Sequence, residues 1–586
     1  MPTLNWIGKD KVINHHTEVP FRVLEHKYGF RGDNPNDTSE THSGNKIIHG
    51  DNLEALKALL PEYEGKIDCI YIDPPYNTGN EGWVYNDNVN DPHIRKWLGE
   101  VVGAEGEDFS RHDKWLCMMY PRLRLLYQLL SQRGVIFISI DDNEQANLKF
   151  ICDEIFGISC FVGDIAWQRS YSPRNDSKGI SNEKEHILVY SKSNTWVPGK
   201  LPRTKAMDSK YKNPDNDFAK WRSSDAFAPS AATHQGMVYA IQHPNTGKLI
   251  YPYKGACWPL HQDSMLEEMR KWAPYEYRLI NDDERRADVC GVSVEEIRKG
   301  IPAIMLSVSL EESQKLFAKI YNTGPWPKFF FSNKGKGGIA RKTYITNVEG
   351  KNVTNLWLHS DVGHTDEAKK EITKIFGGKK PFDTPKPTRL LERVLSIATQ
   401  KDSIILDSFA GSGTTAHAVM KKNAEDGGNR KYVLVELMYY AENITAERIR
   451  RVIKGYGEGK NVIDGLGGSF DYYELGEPLF QTDGNLNEEI GINKIREYIY
   501  YTETHEYLTR KQDTDYPYLL DYINGTGYFF YYKPNEITTL SHDTLNIVPK
   551  KADHYVIYAD VCSISSEQLA QMNITFKKIP RDINRF

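Results

Sequence analysis

The sequence lacks several features that mark common classes of protein. Its seven cysteines include no Cys-x-x-Cys pair and are odd in number, so their spacing indicates neither a metal site nor a disulfide framework. No run of 18 apolar residues occurs, which argues against a membrane-spanning helix. The opening segment MPTLNWIGKDKV has no apolar core of the kind found in signal peptides. We therefore expect a reducing, cytoplasmic location and no membrane association.

A global basic charge is also absent. The formal net charge is −5 and the isoelectric point is near 6.4, so a nucleic-acid partner would have to be held by a local surface. The 12% aromatic content suits stacking on bases, although aromatic-rich cores explain it equally well. At 586 residues the chain exceeds the size of one hydrophobic core, so two to four domains are expected.

Hydrophobic periodicity predicts an α/β protein with a mostly parallel sheet, interrupted by a segment of different character. Strands and helices alternate over residues 1–195, the pattern breaks over 196–375, and it returns over 376–465 before a β-rich segment, 466–586. The elements predicted before the break are a strand, turn and helix over 46–60, strand 67–72, polar loop 80–112, helix 112–134 capped by Gly134, strand 134–142, helix 143–156 and strand 185–192. Those predicted after it are helix 388–400, strand 402–409, helix 415–427, strand 431–437 and helix 441–456.

The first candidate site is the tetrapeptide Asp73-Pro74-Pro75-Tyr76, which follows the predicted strand 67–72 directly. Consecutive prolines cannot continue a strand, so the motif predicts a loop at a strand's carboxyl end, where open α/β sheets bind ligands. A carboxylate and a backbone carbonyl there can each accept one hydrogen of an exocyclic amino group, and Tyr76 offers a face for a base taken out of the duplex. This chemistry suits amino-group methylation without a covalent intermediate. The alternative is a tight turn whose aspartate caps a helix.

The second candidate site is the glycine-rich segment DSFAGSGT, residues 407–414, between a predicted strand and a predicted helix. Glycines at such a turn let the backbone approach a ligand closely. Their spacing does not fit the dinucleotide pattern GxGxxG, and the triphosphate pattern GxxxxGK[ST] does not occur. Glu436 ends the next predicted strand, where an acid can hold two ribose hydroxyls. A solvent-facing strand end is the alternative for Glu436.

With both motifs in this order, the sequence resembles the β-class amino-methyltransferases of DNA, and specifically the modification (Mod) subunits of type III restriction–modification systems. The resemblance is weakest in 200–370 and is carried by HGDNLEALK (49–57), DPPYNTG (73–79), KWLCMMYPRLRL (114–125), GVIFISIDDNE (134–144), TPKP (384–387), DSFAGSGTT (407–415) and the terminal IPRDINRF. It implies a circularly permuted class I S-adenosylmethionine-dependent methyltransferase fold, which is Rossmann-like. Its catalytic half would be 1–195 and its cofactor-binding half 376–465, with a target-recognition domain inserted at 196–375 and a C-terminal α+β domain at 466–586 for dimerisation or partner binding.

The resemblance also implies roles for single residues. The catalytic set would be Asp73 and Pro74 as acceptors of the amino hydrogens, with Pro75 and Tyr76. The residues that would cradle the methionine part of the cofactor are Asp407, Phe409, Gly411, Gly413 and Thr414. Glu436 would hold its ribose, Asp51 its adenine amino group, and Lys386 would face its carboxylate. The alternative for Lys386 is a solvated lysine between two prolines.

One local segment has the composition of a DNA-binding surface. Residues 324–342 contain no acids and five basic residues, namely Lys328, Lys334, Lys336, Arg341 and Lys342. Basic residues among glycines suit phosphate contact. The alternative is a solvated loop beside a buried strand, and for the three phenylalanines at 329–331 that alternative is preferred.

Three functions compete at this point. The first is adenine-N6 methylation of double-stranded DNA. The second is cytosine-N4 methylation, which a serine in place of Asp73 would have favoured. The third is a DNA-recognition subunit that mainly targets a partner nuclease, since the chain has no helicase P-loop and no evident nuclease metal cluster. The resemblance implies a Mod homodimer and a separate restriction (Res) subunit, while a solitary methyltransferase is equally compatible with the sequence.

Overall fold

The structure is a computed structural model that describes residues 3–78, 109–172, 179–510, 512, 514–548 and 551–581. Most of the predicted polar loop 80–112, Gly79 of the DPPYNTG segment and residues 582–586 of the terminal segment lie outside this range. The chain divides into two compact units, one formed by residues 1–199 and 353–586 and the other by residues 200–352. No helix among the described residues is both long and apolar enough to cross a membrane.

The larger unit is built on a ten-stranded sheet. Its strands are β1 Arg22–Arg31, β2 Lys46–His49, β3 Ile67–Ile72, β4 Leu130–Ile140, β5 Phe161–Gln168, β6 Lys184–Ser191, β7 Leu356–Trp357, β8 Ile404–Asp407, β9 Lys431–Glu436 and β10 Ser469–Pro478. They lie in the order β1-β10-β2-β9-β8-β3-β4-β6-β5-β7. The six strands from β10 to β4 run parallel, whereas β6 is antiparallel to both of its neighbours. The prediction of a mostly parallel α/β sheet is confirmed.

The larger unit also contains α-helices, several of which pack on this sheet. The longer ones are α1 Asn52–Tyr63, α2 Phe109–Leu129, α3 Gln145–Phe156, α4 Thr365–Ile375, α5 Thr388–Ala398, α6 Thr414–Asp426, α7 Glu447–Lys454 and α8 Ile492–Thr504. Short helices span Lys9–Val12, His15–Glu18, His359–Val362 and Ser566–Gln571, and a π-helical turn, Ala441–Ala446, precedes α7. Apolar side chains of α1, α2 and α3 pack with those of β3 and β4 in one core, because each helix buries one face against the sheet.

The helix predicted over 112–134 is wrong at its carboxyl end. α2 ends at Leu129 and the chain enters β4 at once, so Gly134 lies inside a strand and caps no helix. A Cβ at Gly134 would lie 2.8 Å from the carbonyl oxygen of Ile67, so the close approach of β3 requires a glycine there. The apolar pattern runs from helix into strand without a break, and periodicity alone therefore misplaced the boundary.

The sheet is wider at both edges than the sequence predicted. β1 and β5 were not predicted, because most of the side chains of β1 are partly exposed and give no clear alternation. β10 pairs with β1 and β2, so residues 469–478 belong to the central sheet although the sequence assigned them to the C-terminal region 466–586. Beyond β10, α8 precedes a second, four-stranded sheet formed by Leu519–Ile523, Thr526–Phe530, His554–Ala559 and Ile574–Lys578.

The smaller unit has a core of its own. Its strands are Trp221–Asp225, Ala228–Pro229, Ile241–Gln242, Leu249–Ile250, Ala256–Cys257, Tyr275–Arg278, Ala303–Leu306, Phe329–Phe331 and Ile339–Tyr344, and its longer helices are Gln262–Arg270, Asp283–Cys290 and Leu310–Thr323. Aromatic side chains dominate its core, and the strand at 329–331 is buried, as preferred from the sequence. This unit is shorter than the predicted insertion 196–375, because β7 and α4 belong to the larger unit.

Candidate active site

Three acidic residues meet at one edge of the central sheet. Asp73 follows β3, Asp407 ends β8 and Glu436 ends β9, and these strands are parallel neighbours in the order β9-β8-β3. The carboxyl ends of parallel strands lie at the same edge, where α/β sheets bind ligands. Asp73 and Asp407 line one narrow pocket together with Lys386 and the glycine-rich turn. The fold thus brings the two motifs together, although they lie in distant parts of the chain.

The proline loop after β3 is held by buried groups. The indole Nε1 of Trp115 donates to the carbonyl of Pro75 over 2.7 Å. Asn77 has a left-handed φ of 60°, and its Nδ2 donates to the buried carboxylate of Glu144 over 2.5 Å. No hydrogen-bond donor contacts the Pro74 carbonyl among the residues that the structure describes.

Asp73 lies at the centre of a polar cluster. Lys386 Nζ donates to Asp73 Oδ2 over 2.6 Å and to the Tyr76 hydroxyl over 2.9 Å. The Tyr76 hydroxyl lies 2.8 Å from Asp73 Oδ1 and 3.0 Å from Glu185 Oε2, so its single proton serves one carboxylate at a time. Arg169 Nη1 donates to Glu185 Oε1 over 2.8 Å. Two carboxylates and two cations thus surround one phenol.

The protonation states of this cluster follow from burial and from its pairs. Burial raises the pKa of Asp73, and the neighbouring Lys386 opposes that shift. Burial also disfavours the charged forms of Lys386 and Glu185, but the oppositely charged groups beside each of them outweigh this effect. The pKa of Lys386 is therefore raised, and the pKa of Glu185 is lowered by Lys386 and Arg169. Lys386 is a cation and Glu185 an anion at neutral pH.

Two members of the cluster were not placed in it by the sequence. Lys386 was expected to face a cofactor carboxylate, which stays a prediction; its ammonium group donates to the carboxylate of Asp73, and Lys386 lines the same pocket as the glycine-rich turn. It is not a solvated lysine, because only 11% of its side chain is exposed. Glu185 was missed. An acid among the apolar residues of EHILVYSK was the available signal, since a buried strand seldom carries an unpaired charge.

The glycine-rich turn follows β8 in the conformation that its glycines allow. Gly411 and Gly413 have φ angles of 52° and 77°, a region that other residues seldom adopt. A Cβ at Gly413 would lie 3.2 Å from the carbonyl oxygen of Thr445, and Thr445 Oγ1 donates to the Gly411 carbonyl over 2.6 Å. Buried Arg448 donates to the hydroxyls of Ser412 and Thr414 over 3.0 and 2.8 Å. Arg448 therefore supports the turn, a role that the sequence did not reveal.

Two buried acids flank this turn. Asp407 accepts from the backbone N–H of Phe409 and from the Thr415 hydroxyl, and Glu436 accepts from the N–H of Gly411 over 2.7 Å. Burial raises the pKa of each to about 7. Buried acids beside a glycine-containing turn fit a ligand that brings hydroxyl or ammonium donors and approaches the backbone closely. S-adenosylmethionine carries both kinds of donor, on its ribose and on its amino acid.

Asp51 lies at the next strand end. It follows β2, which pairs with β9, and the N–H of Gly50 donates to the carbonyl of Glu436 over 3.0 Å. Its carboxylate caps α1 by accepting from the N–H of Leu53 and lies 3.2 Å from Arg122. Asp51 thus lies near the end of β9 and Glu436 but is already bonded on both oxygens.

The basic residues of the smaller unit do not form one exposed group. Lys328, Lys334 and Lys336 are exposed and Arg341 is half-buried. Lys342 is buried, and its ammonium group pairs with Asp215 and Asp217. Neighbouring residues of a strand point to opposite faces, so Arg341 and Lys342 cannot share one surface. The prediction that Lys342 contacts DNA is therefore wrong.

Comparison with known proteins agrees with the geometry. The profile of the DNA methylase family N6_N4_Mtase matches residues 67–504, which include both motifs. The chain is 33% identical to the Mod subunit of the type III restriction–modification enzyme StyLTI from Salmonella typhimurium, over 83% of this chain and 68% of that one. It is 28% identical to the EcoP15I Mod subunit of Escherichia coli, over 74% and 64% respectively. The chain thus spans about two thirds of the length of these Mod subunits.

A shorter class of enzyme is also similar. The type II methyltransferase M.KpnI of Klebsiella pneumoniae is 32% identical over 70% of this chain and 84% of its own. Among solved structures, TTHA0409 of Thermus thermophilus in complex with S-adenosyl-L-methionine aligns with 69% of this chain and 94% of its own. The alignment has 14% sequence identity and a TM-score of 0.29. The family profile and the relatives together identify the chain as a member of the N6_N4_Mtase family of DNA methylases, S-adenosylmethionine-dependent methyltransferases, with marked similarity to type III Mod subunits.

Proposed function

We propose that this chain transfers a methyl group from S-adenosylmethionine directly to the N6 amino group of an adenine taken out of a DNA duplex. The observation that carries the proposal is the single pocket shared by Asp73 and the glycine-rich turn. It would bring an amino-group acceptor and a cofactor cradle within reach of one another. The cofactor would supply an electrophilic methyl group on its sulfonium sulfur.

The proline loop supplies what the amino group of the base needs. The adenine amino nitrogen shares its lone pair with the ring and is a poor nucleophile. Asp73 would accept one amino hydrogen and the Pro74 carbonyl the other, which favours a pyramidal nitrogen with its lone pair on the attacking side. The new nitrogen–carbon bond would form as the sulfur–methyl bond of the cofactor breaks, with the electron pair of that bond remaining on sulfur as a thioether. One proton leaves the nitrogen and Asp73 accepts it. Pro75 fixes the loop, and the ring of Tyr76 would stack on the base.

Lys386, Glu185 and Arg169 would position these groups. Lys386 donates to Asp73 and to Tyr76, so it holds the carboxylate and the phenol in one orientation. It also favours the ionised form of Asp73, which accepts hydrogen bonds instead of donating them. Glu185, paired with Arg169, receives the second contact of the Tyr76 hydroxyl. These residues act through Asp73 and Tyr76 and need not touch the base.

The cofactor would be held at the neighbouring strand ends. We propose that Asp407, Phe409, Gly411, Gly413 and Thr414 receive its methionine part and that Glu436 receives its ribose hydroxyls. The raised pKa values of Asp407 and Glu436 support this assignment, because a carboxylate that is penalised mainly by burial gains most from new hydrogen-bond donors. For Asp51 we propose a contact to the amino group of the cofactor's adenine, and this contact would compete with the bond from Arg122 to Asp51.

The strand arrangement supports the proposal of a circular permutation. β2, β3 and β4 precede the smaller unit in the chain and β8 and β9 follow it, yet the five strands lie side by side in one parallel array. We further propose that residues 200–352 read the DNA sequence, with Lys328, Lys334, Lys336 and Arg341 on phosphates. A homodimer and a Res partner are proposed on the similarity to Mod subunits.

Two other functions are distinguished by one experiment. Asp73 at the first motif position favours adenine over the cytosine N4 amino group, and the complete cluster around it favours an active enzyme over a pure targeting subunit. Genomic DNA incubated with the full chain and S-adenosylmethionine can be digested to nucleosides and analysed by mass spectrometry. N6-methyladenine is expected. N4-methylcytosine would support cytosine methylation instead. The absence of any methylated nucleoside would support a DNA-recognition subunit that targets a partner nuclease.

A further inference from the structure

Helix α4 and the turn after it present a row of lysines to solvent. The inner face of α4 is buried through Ala368, Ile372 and Ile375. Its outer face carries Lys369, Lys370 and Lys374, which are all exposed. Lys370 and Lys374 are one turn apart and share a helix face, and Lys369 lines the same cleft. The chain then turns at two glycines with left-handed φ and continues into exposed Lys379 and Lys380.

The acids of this segment do not neutralise the row. Glu367 pairs with Arg389, and Glu371 pairs with Arg448 and accepts a hydrogen bond from Thr388. Both carboxylates are therefore bonded to groups other than these lysines. None of the five lysines forms an ion pair with another described residue. Two aspartates, at 366 and 383, lie in the same surface. The local balance is therefore positive although the whole chain is acidic.

Four of these lysines line a cleft that lies beside the catalytic pocket. The cleft has a volume of about 580 Å³, and we call it the lysine cleft; its walls are Asp366, Lys369, Lys370, Thr373, Lys374, Gly378, Lys380, Phe382 and Asp383. Phe382 also lines the pocket that contains Asp73 and Lys386, so the two spaces share a wall. Gly378 has open space where a Cβ would stand, which lets a ligand approach the backbone.

We propose that the lysine cleft binds the sugar–phosphate backbone of the strand that carries the target base, an inference that rests on the proposed function. A base in the catalytic pocket remains attached to its own backbone, so phosphates must pass close to the mouth of that pocket. Lysines are flexible point charges that neutralise phosphates without reading sequence. The wall that the cleft shares with the pocket, Phe382, favours DNA over an acidic protein segment as the occupant. No residue of the earlier DNA-binding prediction lies here.

The test replaces Lys370, Lys374 and Lys380 together by glutamine in the full chain. Binding to a fluorescein-labelled duplex of arbitrary sequence is measured by anisotropy over a series of KCl concentrations. Each lost phosphate contact lowers the slope of log K against log salt by about 0.9, so a decrease of about 2 to 3 is expected. At 0.1 M salt the affinity should fall on the order of 10- to 100-fold. Because all three side chains are exposed, thermal unfolding and cofactor affinity should not change.

A matched control changes the net charge equally at another place. Lys460, Lys551 and Lys578 are exposed and lie outside the cleft, and their triple glutamine variant should keep the salt slope of the wild type. An equal loss in both triple variants would overturn the proposal in favour of a net-charge effect. Unchanged DNA binding by the cleft variant, with a wild type that methylates genomic DNA, would overturn the proposal and leave the proposed function standing. A wild type that neither binds nor methylates DNA would overturn the proposed function itself.

Discussion

Replacing Lys386 by methionine separates the ionisation of Asp73 from its position. The substitution keeps an unbranched side chain of similar length and removes the ammonium group that contacts Asp73 Oδ2 over 2.6 Å. Burial already raises the pKa of Asp73, and Lys386 is the strongest influence that opposes it. Without Lys386 the carboxyl group should titrate at a higher pH. Because methyl transfer needs ionised Asp73, the variant should lose methyl-transfer activity at a pH at which the wild type is still active.

The size of the effect follows from the pair. A cation within 4 to 6 Å lowers the pKa of a carboxyl group by about 1 to 3 units, which corresponds to about 1.4 to 4 kcal/mol. The acid limb of the pH profile of kcat should therefore move up by about 1 to 3 pH units in Lys386→Met. Glu185 and Tyr76 titrate with Asp73 as one cluster, so the limb reports the cluster and not a single residue.

Transfer of tritiated methyl groups to DNA between pH 5.5 and 9 measures this limb. Lys386→Arg keeps the charge and should restore the position of the limb. Lys421→Met removes another ion pair of the larger unit, with Glu392, and should leave the limb where it is. If folded Lys386→Met shows the wild-type limb with an ordinary maximum, Lys386 does not control the ionisation of Asp73 and the argument fails.

Three further predictions concern the same site. Gly411→Val should abolish cofactor binding by isothermal titration, because valine is strained at a φ of 52° and its side chain would enter the turn; unchanged affinity would contradict the cradle. Tyr76→Ala should lower catalysis by about 1–3 kcal/mol of stacking, and Tyr76→Phe by about 0.5–1.5 kcal/mol through the lost hydroxyl contacts; equal loss in both would mean that stacking is not the role. Burial raises the pKa of Glu436 to about 7, above its unfolded value, so it adds stability at low pH that is lost as the pH rises through 7. Glu436→Gln should flatten the decline of cofactor-free thermal stability between pH 5 and 8, and parallel profiles would refute this.

The parts of the fold that the sequence predicted are those with strong local signals. The strand IDCIYI and the proline loop after it were placed correctly, because an apolar run followed by two prolines allows few alternatives. The glycine turn was found for the same reason, since φ angles of 52° and 77° need glycine. Strand β1 at one edge and strand β5 next to the other edge were missed, because partly exposed strands carry mixed side chains.

The errors in the site come from information that only the fold contains. Lys342 looked like one more basic residue of an acid-free segment, but its partners Asp215 and Asp217 lie 127 and 125 positions earlier in the chain. The contact of Lys386 with Asp73 was not predicted, because Asp73 lies 313 positions earlier in the chain. Glu185 reaches the site from a strand with no motif of its own. Such long-range pairings leave no periodicity to detect.

The central claim is that Asp73 directs methyl transfer to adenine in DNA, and single-molecule sequencing tests it most directly. Genomic DNA without prior methylation is incubated with S-adenosylmethionine and either the wild-type chain or Asp73→Ala, and modified bases are mapped on both strands. The affinity of Asp73→Ala for S-adenosylmethionine, measured in parallel, should differ from that of the wild type by no more than a few-fold, because Asp73 acts on the base. We predict N6-methyladenine at one recurrent sequence with the wild type and none with Asp73→Ala. Methylated adenine at normal levels in the variant, or methylation of cytosine by the wild type, would contradict the account.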